Sequence, residues 1–457
     1  MSKKRRLSPE YPPMSPLQPT REAVAVAWRW VAFLVVCAYI VLSLCYLVVT
    51  PYVRSGTLIN APDEAAHMRY IQTIAEDHKL PTRNPADPLA YEWHQPPLYY
   101  MLASALYYAG TNAIRGLSVL FGLLTVLTVY ATARKLFPDD PVLPILAMSI
   151  TAMLPMRQSI CGTVTNDTLL ELFFALAMMQ IVEAFHGGFT IQRAFSLGIC
   201  VASALLTKST GLLLMPVICV AFFLLWRNGE TTKSVIRSAA VTMCVVAFVT
   251  APLFAHNLAT YHELTPVKAF MREFADTSTA AKWIGTPRSV DKWSGELVTG
   301  PPMTRAGYYE LIINWTSRSF VAAYTPMRLA PMGIPVFMPA PYYALYLLFG
   351  CVSLFGLLLA HRRRKQRFTE MQVSIVGLLI LTIVLVSASF AGFTWTFFQT
   401  QGRYLYPALL PISVLGALGF RTAIPVKYRD LSAGALIGLL FVLSLALLSA
   451  ILTTYGA

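Results

Sequence analysis

The fold is decided first at residues 28–50, which read WRWVAFLVVCAYIVLSLCYLVVT and carry one charged side chain, Arg29. Crossing the hydrocarbon core of a bilayer takes about 20 mostly apolar residues, and a single segment there satisfies its backbone hydrogen bonds as a helix. This stretch is therefore predicted to span a membrane. It is long and lacks a cleavage site, so we expect it to be retained rather than removed as a signal peptide.

Ten further apolar windows follow along the 457 residues, of which 56% are hydrophobic and 13% charged. That composition excludes a soluble globular protein and indicates a bundle of membrane helices. The predicted spans are 28–50, 114–136, 141–157, 167–185, 191–207, 210–226, 236–256, 340–360, 371–389, 404–420 and 431–453. The predicted fold class is an all-α polytopic membrane protein with about 11 transmembrane helices.

The chain divides into a tail, two transmembrane modules and two long outer loops. Residues 1–27 are predicted to be a disordered cytoplasmic tail, because they are rich in basic residues and proline. The first module, 28–256, contains the first outer loop at 51–113, and the second outer loop at 257–339 precedes the last helices at 340–457. Both loops contain apolar stretches too short to span, which we predict to be interfacial helices.

The distribution of Lys and Arg predicts the orientation. With a cytoplasmic N-terminus, the inner segments hold 20 of the 36 basic residues, including the run from Arg362 to Lys365. Most of the others lie in the two long outer loops, which influence topology weakly. We therefore predict a multi-pass protein of a bacterial inner membrane, with the N-terminus in the cytoplasm and the C-terminus outside. The net charge of +14 is interpreted as positive-inside bias, not as nucleic-acid binding.

An acidic pair, Asp63 and Glu64, follows the first span directly after Pro62. Its structural interpretation is a helix start, where proline and acidic side chains are favoured. Its functional interpretation is catalytic, because the pair lies at the outer mouth of the bundle and His67 falls one helical turn beyond Asp63. A carboxylate partly withdrawn from water beside an imidazole is suited to act as a general base.

The same loop ends with His94, Gln95 and two prolines. An ordinary junction between loop and helix explains the prolines, whereas a functional role places His94 and Gln95 towards a substrate. Asp63, Glu64, His67 and His94 together have the chemistry to hold a divalent cation. Their spacing matches no known metal motif, so the expected state is without metal or other cofactor, and the cation remains the alternative.

Three charged residues stand at span ends on the outer side: Asp167, Lys208 and Arg403. Charges there often only reach for the interface, as we assume for Arg157. Lys208 and Arg403 differ because small polar residues surround them, which favours contact with a phosphate at headgroup depth. Arg69, in the first loop, is a further candidate for that phosphate.

With these residues identified, the chain resembles the GT-C superfamily of membrane glycosyltransferases, in particular the protein O-mannosyltransferase and aminoarabinose transferase branches. That group carries an acidic motif early in the first outer loop and a Pro-Pro motif near its end. Asp63–Glu64 and the run from His94 to Pro97 occupy those places. The resemblance is best over 28–226.

Two further motifs extend the resemblance, and two positions depart from it. Asn166–Asp167 and Thr207–Lys208 fit the pattern, and the tail motif from Gln401 to Pro407 is similar to that of a bacterial subgroup. The aminoarabinose branch has an arginine where this chain has Ala66, and a lysine where it has Gln95. Phosphate binding is therefore expected to rest on Arg69, Lys208 and Arg403, unless the donor differs.

The resemblance implies transfer of a sugar, with inversion, from a polyprenyl-phosphate carrier to a glycan, lipid or protein acceptor at the outer face of the bilayer. It implies Asp63 as the base and Glu64 as its helper. The alternative from another class is a transporter or flippase of lipid-linked sugars, or a non-catalytic membrane scaffold. A transporter is expected to carry charges or broken helices at the bilayer midplane, whereas the polar clusters of this sequence lie outside the spans.

Overall fold

The structure is a computed structural model that describes residues 21–50, 61, 63–275, 279–323, 325–328, 334–363 and 368–455. Most of the predicted N-terminal tail, 1–20, lies outside these ranges. Helix α1 nevertheless begins at Arg21, inside the segment predicted to be disordered. The last proline of that segment is Pro19, and the residues after it are compatible with a helix, so the helix starts before the apolar window does.

Helices make up most of the described chain. They are α1 (Arg21–Val49), α2 (Glu64–Asp77), α3 (Leu98–Ser104), α4 (Thr111–Leu136), α5 (Leu143–Ala152), α6 (Pro155–Cys161), α7 (Asp167–Gly187), α8 (Ile191–Thr207), α9 (Leu214–Arg227), α10 (Thr232–Tyr261), α11 (Val267–Glu273), α12 (Arg305–Val321), α13 (Ala340–Arg362), α14 (Glu370–Thr396), α15 (Leu409–Ala423) and α16 (Arg429–Tyr455). The fold class predicted from the sequence is confirmed.

Short elements fill the outer loops and the helix junctions. The 3₁₀ helices are Ala90–His94, Tyr107–Ala109, Ser209–Leu213, Ala280–Lys282, Gly402–Ala408 and Val426–Tyr428. Two antiparallel hairpins, which the sequence analysis did not predict, pair β1 (Pro287–Val290) with β2 (Leu297–Pro302) and β3 (Thr325–Arg328) with β4 (Ile334–Val336). Helices α2 and α3 occupy the first outer loop, and α11 and α12 the second.

Each of the eleven predicted spans contains a helix, but in the described ranges nine of the helical segments are long and apolar enough to cross a bilayer. The two short ones are α5, at Leu143–Ala152, and α8, at Ile191–Thr207. The window 141–157 breaks because Pro155 cannot continue the helix of α5, and it starts α6 instead. Helix α8 ends at Thr207, just before the extended backbone of Lys208.

The packing of the helices places the candidate site at one end of the bundle. Helix α4 packs on α5 and α7, α8 packs on α10, and α13 packs on α15. The segment Gly402–Ala423 carries Arg403 at one end and Arg421 at the other. Eighteen residues of helix extend about 27 Å, close to the thickness of a hydrocarbon core, so these two arginines lie at opposite faces of the bundle.

The second outer loop lies over the first. Arg83 of the first loop forms an ion pair with Glu273 of α11. The His94 ring lies 4.8 Å from the ring of Phe270, measured between centroids, and Tyr91 contacts Phe274 edge-on. The site described next therefore has a wall from each loop.

Candidate active site

Asp63 is the residue before α2, and its backbone is in the left-handed region, with φ 62°. A non-glycine residue held there costs of the order of 1–3 kcal/mol and persists where the surroundings impose it. Its side chain makes no capping hydrogen bond to α2. Its carboxylate instead accepts from the Tyr91 hydroxyl (3.1 Å) and forms an ion pair with Arg403. Helix capping therefore does not account for Asp63.

Arg403 enters the site from the other end of the sequence. It lies in the 3₁₀ helix Gly402–Ala408, beside a point where the chain touches α12. A Cβ atom on Gly402 would come within 2.3 Å of the Phe320 backbone, so only glycine fits there. The Gly402 N–H also donates to the Ser319 hydroxyl (2.9 Å). These contacts fix the approach of Arg403 to the first outer loop.

Asp167 joins Arg403 to a second cation. Its Oδ2 lies 3.1 Å from Arg403 Nη1, and its Oδ1 lies 2.5 Å from Lys208 Nζ. Asp167 begins α7 and Lys208 follows α8, so α2, α7, α8 and the 3₁₀ helix at 402–408 converge here. We call Asp63, Asp167, Lys208 and Arg403 the site cluster. The three span-end charges singled out in the sequence are thus brought together with the acidic pair.

The site cluster is partly open and electrically balanced. The Asp63 side chain is 28% exposed and the Lys208 side chain 13%. Burial acts to raise the pKa of Asp63, but the Arg403 charge outweighs it and holds that pKa below its ordinary value. Two carboxylates and two cations sum to zero formal charge, so an anionic group entering the site meets no net repulsion.

His67 lies beside the site cluster as an uncharged group. Its Nδ1 is 2.9 Å from the Tyr100 hydroxyl, and its backbone N–H donates to the carbonyl of Asp63 (2.9 Å). Burial lowers the pKa of His67, although the charges of Glu92 and Asp63 act to raise it. The predicted neighbourhood of Asp63 and His67 is therefore present, with His67 neutral at physiological pH.

His94 and Gln95 form the adjoining wall. His94 Nδ1 lies 3.0 Å from the Tyr91 carbonyl oxygen, and its Nε2 lies 3.1 Å from Gln95 Nε2. Burial lowers the pKa of His94 to about 4. Gln95 Oε1 accepts from the Asn166 amide (3.3 Å), which links this loop to the residue preceding Asp167. Both residues thus border the site cluster.

Arg69 has a different position from the one expected. Its Nε lies 2.7 Å from Asp87 Oδ2, its Nη1 donates to Gln72, and its side chain is 40% exposed. Within the part of the chain that the structure describes, its ion pair and side-chain hydrogen bonds go to Asp87 and Gln72 and not to the site cluster. The structure therefore does not bring Arg69 to the other phosphate candidates, because the side chain reaches along the first loop to Asp87.

Glu64 points the other way from Asp63. Arg115 donates Nε to Glu64 Oε1 (2.8 Å) and Nη2 to Oε2 (2.6 Å), and the Val164 N–H also donates to Oε1 (2.8 Å). Arg115 Nη1 binds the carbonyl oxygens of Leu47 (2.9 Å) and Thr50 (2.7 Å). This fully buried arrangement joins the end of α1 to the starts of α2 and α4, and it leaves Glu64 no open oxygen.

A second buried pair lies deeper. Arg157 Nε is 2.8 Å from Glu171 Oε2, and Arg157 Nη2 donates to the Gly122 carbonyl (3.0 Å). Arg157 is fully buried, so the assumption that it reaches for the interface is wrong. We call Glu64–Arg115 and Arg157–Glu171 the anchor pairs.

The sequence analysis missed several residues that shape the site. Arg115, Arg157 and Glu171 lie within predicted spans, and a charge inside an apolar window is itself a signal of a paired, buried role. Tyr91 and Glu92 lay in a loop without periodicity, where no pattern pointed to them. Only the fold shows that Tyr91 holds Asp63.

The divalent-cation alternative does not fit this arrangement. Among the described residues, no group of three or more His, Cys, Asp or Glu side chains is placed to hold a metal ion. Both oxygens of Glu64 are taken by Arg115, and Asp63 binds Arg403. Both acids proposed as cation ligands therefore have an arginine as their partner.

Comparison with known proteins supports the sequence-based resemblance. Residues 94–254 match the family described as dolichyl-phosphate-mannose-protein mannosyltransferase. No curated protein matches the sequence significantly. The matched segment runs from His94 to α10 and includes Asp167 and Lys208.

Solved structures match over nearly the whole chain. The apo oligosaccharyltransferase of Archaeoglobus fulgidus is 17% identical, with a TM-score of 0.55 over 92% of this chain and 56% of its own. ArnT from Cupriavidus metallidurans, bound to undecaprenyl phosphate, is 14% identical, with a TM-score of 0.52 over 91% of this chain and 64% of its own. The S. cerevisiae Pmt1–Pmt2 protein O-mannosyltransferase complex, bound to the sugar donor, is 10% identical, with a TM-score of 0.51 over 92% and 89%.

At these identities the structural matches establish the fold. The chain spans only 56% of the length of the archaeal oligosaccharyltransferase and 64% of ArnT. The matched family and all three of these structures are membrane glycosyltransferases. The predicted resemblance to the GT-C superfamily is confirmed, and this polytopic membrane protein has the GT-C glycosyltransferase fold.

Proposed function

We propose that this protein is an inverting glycosyltransferase that moves a sugar from a polyprenyl-phosphate carrier to an acceptor hydroxyl at the outer face of the membrane. The observation that carries the proposal is the ion pair between Asp63 and Arg403, which lie 340 residues apart in sequence. It joins a partly exposed carboxylate, suited to accept a proton, to a cation suited to bind a phosphate.

The proposed base is Asp63. It takes the proton of the acceptor hydroxyl while the acceptor oxygen forms a bond to the anomeric carbon of the sugar. The bond from that carbon to the phosphate oxygen breaks, and its electron pair stays on the phosphate. Because the acceptor attacks the face opposite the leaving group in a single displacement, the anomeric configuration inverts. Base catalysis of this kind contributes about 10²–10⁴-fold.

The leaving phosphate gains a negative charge, and the proposed compensating groups are Arg403 and Lys208. A guanidinium offers paired donors to phosphate oxygens, and an ammonium adds a point charge. Asp167 holds both cations at its two oxygens, so we assign it the task of setting their spacing. With two fixed cations at the leaving group, the proposed reaction includes no cofactor.

The remaining predicted residues have supporting tasks in this proposal. Glu64 is a positioning residue, because its ion pair with Arg115 sets where α2 begins and therefore where Asp63 stands. His67, His94 and Gln95 line the wall beside Asp63 and are proposed to face the substrates. Arg69 is left out of phosphate binding because Asp87 holds it.

The matched structures support the proposed carrier class. ArnT is bound to undecaprenyl phosphate, and one archaeal oligosaccharyltransferase structure contains dolichol-phosphate with an inhibitory peptide. These are polyprenyl phosphates on the same fold, which supports a polyprenyl-phosphate-linked donor here. The acceptor is proposed to be a glycan, lipid or protein hydroxyl, and the bilayer supplies the donor.

The proposed orientation places the site outside a bacterial inner membrane, with the N-terminus in the cytoplasm and the C-terminus outside. Arg421 forms ion pairs with Asp140 and Asp430 at the face opposite Arg403, where a basic cytoplasmic boundary is expected. Cysteines introduced at Asn84 and Ser294, both on the outer loops, should react with a membrane-impermeant thiol reagent in intact cells. Labelling at only one position would refute this topology.

The activity is tested with purified protein and a panel of short-chain polyprenyl-phosphate sugars, each offered with glycan, lipid and peptide acceptors. The expected result is release of polyprenyl phosphate coupled to a product whose anomeric configuration is opposite to that of the donor. If no donor is consumed, while vesicles containing the protein translocate a lipid-linked sugar, the transporter alternative replaces this proposal. A product of retained configuration would refute inversion alone.

A further inference from the structure

Glu92 differs from every other buried acidic residue in the described ranges. The other three are Glu64, Asp167 and Glu171, and each lies within 2.8 Å of a basic side chain. Glu92 is 7% exposed and has no basic partner within 4 Å. Its Oε2 is sealed from solvent without a hydrogen-bond partner. No role assigned above to the site explains an unpaired buried carboxyl group.

Its position connects it to the site cluster. Glu92 lies in the 3₁₀ helix Ala90–His94, next to Tyr91, whose hydroxyl donates to Asp63. The charged and titratable groups that face it are His67, Asp63, Tyr70, Tyr91, Tyr100, Lys208 and Arg403. They come from the start and body of α2, its own 3₁₀ helix, α3, the end of α8 and the 3₁₀ helix at 402–408. The carboxyl group therefore lies within electrostatic range of the proposed donor phosphate site.

An ionised carboxylate without a partner is costly to bury, and such groups take up a proton instead. Burial raises the pKa of Glu92, and the negative charge of Asp63 acts in the same direction; His67 opposes both. Lys208 and Arg403 also act to lower the pKa of Glu92, but neither forms an ion pair with it, and their closest partners are Asp63 and Asp167. Burial and the absence of an ion-pair partner thus favour the neutral acid.

We propose that Glu92 is a positioning residue for the donor, kept protonated so that the carrier phosphate brings the only unbalanced negative charge into the site. The inference rests on the proposed function. The formal charges of the site cluster sum to zero, so a bound phosphodiester gives the site a net charge of −1. An ionised Glu92 would make the site negative before the donor arrives and would repel it.

The net charge of the site stays the same through the reaction. Transfer moves the acceptor proton to Asp63, which becomes neutral, and the carrier changes from a phosphodiester with one negative charge to a phosphomonoester with two. The total stays at one negative charge, provided that Glu92 keeps its proton. Glu92 therefore acts through the charge of the site rather than by contact with the reacting atoms.

The decisive experiment follows the KM for a short-chain polyprenyl-phosphate sugar against pH in wild type, Glu92→Gln and Glu296→Gln. The donor phosphodiester does not titrate in the neutral to alkaline range, so a change in its KM there reports on the protein. Wild type and the matched control, whose altered glutamate is exposed on the β1–β2 hairpin, should show a donor KM that rises roughly tenfold per pH unit above the pKa of Glu92. Glu92→Gln, which mimics the neutral acid, should show a flat donor KM. A rise in Glu92→Gln equal to that of wild type overturns the proposal.

The pH dependence of the melting temperature distinguishes the proposed role of Glu92 from a purely structural one. A group whose pKa is raised by folding contributes stability that is present below its unfolded pKa and lost as the pH rises through its folded pKa. Glu92→Gln should therefore melt at the wild-type temperature in acid and above it in alkali. A lower melting temperature at every pH would mean that the carboxyl group is needed for packing, and it would overturn the proposal.

Infrared spectroscopy reads the protonation state without turnover. Wild-type protein should show a carbonyl band of a protonated carboxylic acid that Glu92→Gln lacks and Glu296→Gln retains. If no such band is lost, Glu92 is ionised and the inference is wrong. Should wild type transfer no sugar, the proposed function fails, but the infrared and melting measurements still decide whether Glu92 carries a proton.

Discussion

The site cluster and the anchor pairs are built from the same types of side chain, carboxylates and basic groups, but they differ in how exposed those side chains are. The anchor pair Glu64–Arg115 is at most 3% exposed, and both oxygens of Glu64 are bound by the protein. In the site cluster, the Asp63 side chain is 28% exposed and shares Arg403 with Asp167. Adjacent residues in the sequence thus have separate tasks: one fixes the backbone, and the other remains open to a substrate.

The comparison shows that function here depends on access rather than on residue type. A buried ion pair with every hydrogen bond satisfied stabilises one geometry, because removing either partner leaves a charge in an apolar interior. The Glu64–Arg115 pair meets this description, whereas the Arg157–Glu171 pair leaves Arg157 Nη1 and Glu171 Oε1 without a hydrogen-bond partner. Arg115 fixes the start of α2, and Arg157 with Glu171 joins α6 to α7, the helix that Asp167 begins. The helices that carry Asp63 and Asp167 are therefore positioned by buried ion pairs, while Asp63 itself stays partly exposed.

The largest expected effect is on activity, from Asp63→Asn. This change keeps the shape of the side chain but removes the proposed base, so transfer should fall about 10²–10⁴-fold. Because Asp63 makes no capping bond, the melting temperature should change little. The measurement is the initial rate of donor consumption together with thermal unfolding in detergent.

The matched control is Asp87→Asn, an acid of the same loop that binds Arg69 away from the site cluster. Its transfer rate should stay near that of wild type. If Asp63→Asn transfers sugar at the wild-type rate, Asp63 is not the base. The site cluster would then have no demonstrated catalytic role to set against the structural role of the anchor pairs.

The next effect is on stability, from Glu64→Gln. Breaking a buried ion pair leaves the Arg115 charge without its partner and costs about 3–5 kcal/mol of the free energy of unfolding. Protein carrying this change should unfold at a clearly lower temperature or denaturant concentration than Asp63→Asn. Equal stability of the two variants would show that Glu64 is not an anchor, and a loss of transfer at unchanged stability would return it to the catalytic set.

Donor binding should change by a smaller factor in Lys208→Ala. A hydrogen bond to a charged phosphate contributes about 1.5–3 kcal/mol, so losing the Lys208 ammonium should raise the donor KM roughly ten- to a hundredfold. Acceptor dependence should change less. Arg69→Ala is the matched control, since that cation lies at the same face but binds Asp87, and its donor KM should stay unchanged. The reverse ranking would return Arg69 to the phosphate site.

The fold was predictable from the sequence because lipid imposes a simple requirement on composition. All eleven apolar windows contain helices, but Pro155 divides the window 141–157, and α1, α10 and α14 extend beyond their windows. The members of the site cluster were also named in advance, since isolated charges at span ends are rare. Their order in the sequence carries no information on which of them meet.

The partners within the site could not be predicted for a physical reason. Asp63 and Glu64 are neighbours with the same chemistry, and only the left-handed backbone at Asp63 sends their side chains to Arg403 and Arg115 respectively. Tyr91 and Glu92 lie in a loop whose path is set by contacts with α2. Such contacts are tertiary, so they leave no periodic pattern in the sequence.

The smallest expected effect tests how the open cluster tunes its base. The Tyr91 hydroxyl donates to Asp63 Oδ1 at 3.1 Å and, after Arg403, helps to keep the pKa of Asp63 below its ordinary value. Because Asp63 is partly exposed, solvent screens this bond, and its effect on the pKa of Asp63 is smaller than that of Arg403. Tyr91→Phe should raise the pKa of Asp63, so that transfer is lost at a higher pH on acidification while the rate at neutral pH is kept. The pH profile of kcat/KM for the acceptor measures this shift. Tyr107→Phe, which removes a hydroxyl bound to Glu76 in the same loop, should leave the profile unchanged. An acid limb that does not move in Tyr91→Phe would mean that a group other than Asp63 limits transfer at low pH.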